Sequence, residues 1–327
     1  MTASSRAFDR YRRSAGEKAT LPRLVAGMLV VIVCWLATSF AAIGIGVYLF
    51  GMNRIDAGAA FETDLMMDFL TAPAGLAAML LSFSGIWIGL WLAMRFVHRQ
   101  PLSALFGAGR RLSRSGFARG FTAVILTSLL SEALVLLIRP EIARSAISSA
   151  SWLIFLLPVI LLAFIQTSAE EVLFRGYLMR ALAARFASPL VWFVMPVVAF
   201  TVLHWGASAN PAVHLSGVLT IGAFALVLAA TVWLTGNLGA AFGAHLANNL
   251  FGFTLISHQD TYGALALYMG ASLEGPGWTA LDAMLLTVIG FICSTLTLAL
   301  LVHPRSPLKL EPEPADLANP VEASPQP

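Results

Sequence analysis

Long runs of apolar residues, separated by short polar stretches, dominate the chain. Eight such runs cover residues 24–50, 73–96, 121–138, 152–165, 189–205, 213–234, 240–256 and 278–301. A bilayer core about 30 Å thick is crossed by roughly 20 helical residues, and backbone groups inside it must be satisfied within the segment, which excludes open strands. The pattern predicts an all-α, polytopic transmembrane helix bundle of about eight spans.

Composition excludes a soluble domain. Of the 327 residues 58% are hydrophobic and only 11% are charged, whereas soluble domains are about 45–50% apolar. The two cysteines, Cys34 and Cys293, both lie inside apolar runs. They are therefore expected to pack as small hydrophobic residues and to form neither a disulfide nor a metal pair.

The arginines predict the orientation of the spans. They concentrate in residues 1–23, in 95–119 and in 175–185, which are alternate ends of the predicted spans. Positively charged loops face the cytoplasm, so both termini are expected there, in a bacterial inner membrane. The basic residues of 95–119 are spaced for contact with anionic lipid and are too scattered for nucleic acid.

Four segments follow from this reading. Residues 1–23 form a cytoplasmic segment, 24–150 form N-terminal transmembrane scaffold helices, and 151–302 form a transmembrane catalytic core. Residues 303–327, with their Pro, Glu and Ser, are expected to be a disordered tail.

Charges beside the fourth apolar run need an explanation. Glu170, Glu171 and Arg175 stand there, although a charge at the bilayer centre costs roughly 2.5–3.5 kcal/mol on insertion scales. Glu171 and Arg175 are i and i+4 and can pair on a helix, whereas Glu170 is rotated by about 100° and remains available. The alternative is a capping box, in which Ser168 and Glu171 open a new helix.

Two further polar pairs lie on later spans. His204 follows Phe200 by four residues, and His245 precedes Asn249 by four. A lone histidine near a span end is most often interfacial, and an asparagine in a span often bonds to a neighbouring helix. Three polar elements in order on three spans predict a shared site instead.

These residue types are the ones that peptide hydrolysis requires. A carboxylate takes a proton from water, and histidine assists it or binds a divalent metal such as zinc. An asparagine amide donates to the oxyanion. The His-Glu-x-x-His signature is absent, so metal ligands would come from separate helices: Glu170, His204 and His245. For Glu170 to reach the depth of His204, one long helix over 151–186 is predicted.

At Glu-Glu-x-x-x-Arg (170–175), Phe-x-x-x-His (200–204) and His-x-x-x-Asn (245–249), the sequence resembles the CAAX prenyl protease and bacteriocin-processing (CPBP or Abi) family of intramembrane proteases. The resemblance includes the polar stretch 204–211. It implies cleavage of a membrane-associated peptide or protein substrate. It also implies that Glu170, His204, His245 and Asn249 line the site, with Glu171 and Arg175 as the supporting pair.

Two other functions fit the same residues. A non-proteolytic scaffold or immunity protein of the same fold would differ from a protease only in activity. A proton-coupled transporter would use the buried glutamate and histidines as a relay, but such proteins often show internal repeats or broken helices, and neither is visible here.

Overall fold

A computed structural model of the protein describes residues 3–17, 19–56, 64–205 and 210–315, and the chain there is a bundle of helices. Six helices in these ranges are long and apolar enough to cross a membrane: Leu21–Ile55, Pro73–His98, Arg114–Ile138, Ser149–Arg185, Pro211–Thr235 and Ala280–Val302. The predicted all-α polytopic bundle is confirmed. The centre of the first polar loop (57–63), residues 206–209 and the end of the tail (316–327) lie outside the described residues.

The described residues of the first half of the chain form six α-helices. They are α1 (Ala3–Arg13), α2 (Leu21–Asp56), α3 (Leu65–Leu70), α4 (Pro73–Ser82), α5 (Ser84–Leu92) and α6 (Arg114–Ile138). A π-helical turn, Ala93–His98, extends α5, and a 3₁₀ turn, Leu102–Leu105, follows it. Ser113 caps α6, because its hydroxyl accepts a hydrogen bond from the Gly116 amide.

In the second half, the part that the structure describes forms six further α-helices and a small sheet. The helices are α7 (Ser149–Glu171), α8 (Arg180–Arg185), α9 (Met195–Leu203), α10 (Pro211–Thr235), α11 (Gly239–Leu250) and α12 (Ala280–Val302). The sheet has the order β1-β3-β2, in which β1 (Ile142–Arg144) is antiparallel and β2 (Ile256–Ser257) is parallel to β3 (Tyr268–Gly270).

The predicted long helix around Glu170 is confirmed. α7, a π-helical stretch over Val172–Met179 and α8 form one helix of 37 residues, Ser149–Arg185. Glu170 lies roughly 31 Å from its first residue and 22 Å from its last, at 1.5 Å per residue. Glu170 therefore lies in the middle part of one continuous helix, and Ser168 caps no new helix.

Two of the eight predicted spans form helices that are shorter than the roughly 20 residues that cross a bilayer core. The fifth is the helix Leu190–Leu203, which rises only about 21 Å. The seventh is α11 with a π-helical extension, Phe251–Leu255. Every residue from Gly239 to Ala247 is buried, so most of α11 lies in the interior of the bundle. His204 directly follows the first of these short helices, and the second contains His245.

Glycines bring α6 and α11 into backbone contact. A Cβ added to Gly243 would lie 2.0 Å from the Phe117 carbonyl oxygen, and one added to Gly120 would lie 2.2 Å from the Ala240 carbonyl oxygen. Small residues allow such close approach between membrane helices. The contact fixes α11, and with it His245, against the bundle.

The N-terminal segment covers the arginine-rich end of the bundle. α1 buries Phe8 and Tyr11, and the Tyr11 hydroxyl donates to the Leu105 carbonyl. Arg180 at the end of the long helix donates to the Ser14 hydroxyl at 3.1 Å. The polar segment predicted from the sequence is thus an amphipathic helix packed on the bundle.

The start of the C-terminal tail differs from its prediction as a disordered segment. Residues 303–315 pack on the same end of the bundle: Leu310 is buried, and its amide donates to the Leu301 carbonyl at 2.8 Å. The Glu313 carboxylate accepts from the amides of Ala108 and Gly109 at 2.9 and 3.2 Å. A composition rich in Pro and Glu does not reveal such contacts, because they depend on backbone amides two hundred positions away.

At the other end of the bundle, an ion pair ties the β2–β3 connection to α6. His258 Nε2 lies 3.0 Å from Glu132 Oε2, and His258 Nδ1 lies 3.0 Å from the Ala271 carbonyl oxygen. Burial lowers the pKa of His258, but the hydrogen bond and charge of Glu132 and the bond to Ala271 outweigh it and raise that pKa overall.

Candidate active site

Glu171 and Arg175 form a buried ion pair on the long helix. Arg175 Nη1 lies 2.9 Å from Glu171 Oε1, one turn away, and both side chains are almost wholly inaccessible. The predicted pair is confirmed. Since an isolated charge is costly in such an environment, each residue makes the burial of the other tolerable.

Two further contacts surround the Arg175 guanidinium. Its Nη2 donates to the Ala225 carbonyl of α10 at 3.2 Å, and its Cζ lies 4.5 Å from the centroid of the Phe200 ring. The aromatic face adds a cation–π contact. Arg175 thereby connects the long helix to α9 and α10.

His245 connects both glutamates. Its Nδ1 lies 2.8 Å from Glu171 Oε1, and its Nε2 lies 3.5 Å from Glu170 Oε2. A carboxylate only accepts, so Nδ1 carries a proton and donates to Glu171. This bond fixes the orientation of the ring and turns Nε2 towards Glu170.

Glu170 is a buried carboxylate with an unused acceptor. The residue is 6% exposed, and its Oε2 makes no hydrogen bond with the described part of the protein. Buried polar atoms are nearly always hydrogen-bonded. Oε2, next to His245 Nε2, is therefore available for a polar ligand such as water.

Asn249 is held by its neighbours on α7 and α11. Its Nδ2 donates to Gln166 Oε1 at 2.8 Å, and its Oδ1 accepts from Asn248 Nδ2 at 3.1 Å. Gln166 is four residues before Glu170 and faces the same side of α7. The sequence interpretation missed Gln166, although this spacing from Glu170 is the signal that could have found it.

His204 lies beside this group, beyond Phe200. It follows the last residue of α9, is exposed, and its Nδ1 donates to the Phe200 carbonyl at 2.8 Å. The Phe200 ring centroid lies 4.4 Å from that of His204 and 6.0 Å from that of His245. The two histidines thus contact a common ring, and in the described residues His204 makes no hydrogen bond to Glu170.

The donors do not assemble a metal site. Across the described ranges, no three His, Cys, Asp or Glu side chains are grouped so as to hold a metal ion. Of the predicted ligands, only Glu170 and His245 are adjacent. The arrangement of these side chains in the described residues does not fit a metal ion.

Comparison with known proteins identifies the part of the chain that contains these residues. Residues 149–251 match the family described as type II CAAX prenyl endopeptidase Rce1-like. This part of the chain is similar to the Rce1-like family. All six residues named above as site or supporting residues lie within it, and the resemblance seen in the sequence is confirmed. Together with the six apolar helices of the described residues, this similarity supports an integral membrane protein, in which residues 149–251 resemble a CAAX-type intramembrane protease.

One relative extends the similarity beyond this segment. YyaK, an uncharacterised protein of Bacillus subtilis (strain 168), is 30% identical over 198 residues, which are 59% of this chain and 65% of YyaK. The chain thus matches slightly less than two thirds of the length of that relative. No solved structure matches the chain.

Proposed function

We propose that the protein is an intramembrane endopeptidase that uses water activated by Glu170. The observation that carries the proposal is the buried Glu170 Oε2, which has no hydrogen bond in the described protein and lies 3.5 Å from His245 Nε2. A carboxylate held at mid-depth in a bundle, with its neighbour Glu171 already paired to Arg175, is arranged to act as a base.

The proposed reaction begins with a water molecule hydrogen-bonded to Glu170. Glu170 takes a proton from this water while the oxygen forms a bond to the carbonyl carbon of the peptide, and the carbonyl π electrons move to its oxygen. The oxyanion then collapses, the C–N bond breaks, and the proton held by Glu170 passes to the leaving nitrogen. Glu170 is thereby a carboxylate again, and the products are a carboxylic acid and an amine.

The other site residues have distinct proposed roles. His245 Nε2 orients the water, because its ring is fixed by the bond from Nδ1 to Glu171. The Asn249 amide donates to the oxyanion. His204, on the far side of Phe200, assists at the carbonyl or the leaving group once a substrate brings it and His245 together. Arg175 and Glu171 hold the other site residues in position.

Substrate and location are also proposals. A base at this depth suits a membrane-associated peptide or protein substrate whose cleavage site enters the bundle. The similarity to a bacterial protein and the arginine-rich end near α1 and α8 support a bacterial cell membrane with both termini in the cytoplasm. Bilayer lipid then surrounds the exposed apolar faces, such as that of α2, where Phe40 is 78% exposed.

The test is cleavage of a panel of membrane-anchored peptides by the protein purified in detergent. Glu170→Gln is expected to lose at least about 100-fold in rate, the usual contribution of a general base, and His204→Ala is expected to lose activity as well. Glu141→Gln and His303→Ala, at exposed positions, are the matched controls and should cleave like wild type. Unchanged cleavage by both site variants would refute the mechanism.

Two outcomes separate the alternatives. A stable wild type that binds peptides but cleaves none would favour a non-proteolytic scaffold of the same fold. Metal analysis of the same sample addresses the zinc hypothesis: a stoichiometric ion that is lost in His245→Ala would show that the residues rearrange to bind metal.

A further inference from the structure

Tyr262 lies outside the Rce1-like segment but close to the site. It belongs to the turn between β2 and a 3₁₀ turn, Gly263–Leu265. Its ring centroid lies 5.9 Å from that of Phe253. Phe253 follows Asn249 by four residues, so the two side chains are on the same side of the helix that extends from α11.

Apolar packing brings Tyr262 to the seam between α7 and α11. Tyr262 packs against a cluster that includes Ala163 of α7 and Leu246 of α11. Ala163 precedes Gln166 by three residues, and Leu246 precedes Asn249 by three. Residues three apart are neighbours on a helix surface, so the cluster against which Tyr262 packs extends to within one turn of Gln166 on α7 and of Asn249 on α11.

The hydroxyl of Tyr262 experiences the charge of Glu170. Burial raises the pKa of Tyr262, and the negative charge of Glu170 raises it further, followed by that of Glu274. The phenol therefore keeps its proton and acts as a donor. No group among the described residues forms a hydrogen bond with this hydroxyl, so the donor is not already engaged.

The site has a use for a second donor. The Asn249 amide already donates one N–H to Gln166, which leaves only its other N–H for an oxyanion. Sites that stabilise a tetrahedral intermediate commonly combine donors, and a tyrosine hydroxyl is one of the groups that serve.

We infer that Tyr262 is a catalytic residue of this site, whose hydroxyl donates a hydrogen bond to the carbonyl oxygen of the bound peptide. The inference rests on the proposed peptidase function and adds a residue to it. Tyr262 keeps its proton throughout: the oxygen accepts the bond as negative charge develops, while the proton of the attacking water goes to Glu170.

The kinetic test compares Tyr262→Phe with Tyr268→Phe in the full-length protein. Tyr262→Phe keeps the ring against Phe253 and removes only the hydroxyl, so the thermal midpoint should not change. The expected loss is about 100-fold in kcat, as for removal of one oxyanion donor, with KM unchanged. Tyr268, exposed on β3, is the matched control. A Tyr262→Phe protein with the kcat of wild type would overturn the inference.

A second measurement does not depend on activity. The difference in tyrosinate absorbance between wild type and Tyr262→Phe, followed through an alkaline titration, isolates the ionisation of Tyr262. In the Glu170→Gln background this ionisation should occur at lower pH, because a neighbouring negative charge is gone. An identical titration in both backgrounds would show that the hydroxyl does not face Glu170. A wild type that cleaves no peptide would refute the proposed function, and the titration would still report where Tyr262 lies.

Discussion

Replacement of Arg175 by methionine tests the buried ion pair that supports the candidate site. The substitution keeps much of the volume of the side chain but removes its charge. Glu171 then loses its partner at 2.9 Å, the Ala225 carbonyl loses a donor at 3.2 Å, and the Phe200 face loses its cation. These groups remain buried, so water does not replace what is lost.

The expected cost is about 3–5 kcal/mol, the usual result of removing one partner from a buried pair. At about 1.4 kcal/mol per factor of ten, the folding equilibrium constant falls by roughly two to four powers of ten. His245, whose Nδ1 is 2.8 Å from Glu171 Oε1, still donates a hydrogen bond to this carboxylate in the variant, so the lower end of the range is expected.

Equilibrium unfolding in mixed micelles, followed by circular dichroism, provides the measurement. Arg114→Met is the control, because Arg114 is exposed and surface substitutions usually change stability by less than about 0.5 kcal/mol. The double variant Glu171→Gln/Arg175→Met should recover part of the loss, since no unpaired charge stays buried. Equal stability of Arg175→Met and Arg114→Met would refute the reasoning.

Three further predictions concern regions away from the pair. The pKa of His258 is raised in the folded protein, so its pair with Glu132 stabilises the fold fully below the pKa of an unfolded histidine, about 6.5. This stabilisation is lost as the pH rises through the folded pKa. The difference in thermal midpoint between wild type and His258→Gln should therefore shrink with rising pH, and a constant difference would contradict the prediction. Gly236→Ala should lower the thermal midpoint of the protein, because φ is +68° and the new Cβ would lie 2.7 Å from the Ala7 carbonyl oxygen. Gly217→Ala, which has open space around it in α10, should leave the thermal midpoint equal or higher. A lower midpoint in both variants would contradict this explanation. Glu313→Ala should speed amide exchange over 303–315, since its carboxylate is bound by the amides of 108 and 109, and exchange at the wild-type rate would show that Glu313 does not hold the segment.

Local spacing was sufficient to predict several features of the site. The interval of four residues between Glu171 and Arg175 predicts their ion pair, because helical geometry alone brings the two together. The depth that Glu170 needs in order to approach the other spans predicted the long helix that the structure shows. The first inference uses only neighbours on one helix, and the second uses only the depths of residues along two predicted spans.

Contacts between distant elements were not accessible in the same way. The bond of His245 to Glu171 and that of Asn249 to Gln166 depend on how α11 packs against α7. The position of α11 is also fixed by its contact with α6, through glycines such as Gly243 that have no functional side chain. The same limit hid Glu313, whose partners are backbone amides, and Tyr262, which reaches the site from a connecting turn.

Hydropathy also misjudged two elements. The apolar runs that carry His204 and His245 read as full spans, but the helices are short. A helix buried on all sides is as apolar as one in lipid, so hydropathy cannot distinguish them. A helix in the protein interior differs from a membrane-spanning helix only in length. Turns within an apolar run hide that length from a hydropathy pattern.

Hydrolysis in water enriched in ¹⁸O tests the role of Glu170 most directly. If Glu170 activates water for attack on the peptide bond, wild type should release a product whose new carboxyl group carries ¹⁸O, detected as a mass increase of the fragment. The Glu170→Gln protein should release no such product in the same time. Labelled product formed by Glu170→Gln at the wild-type rate would contradict the mechanism.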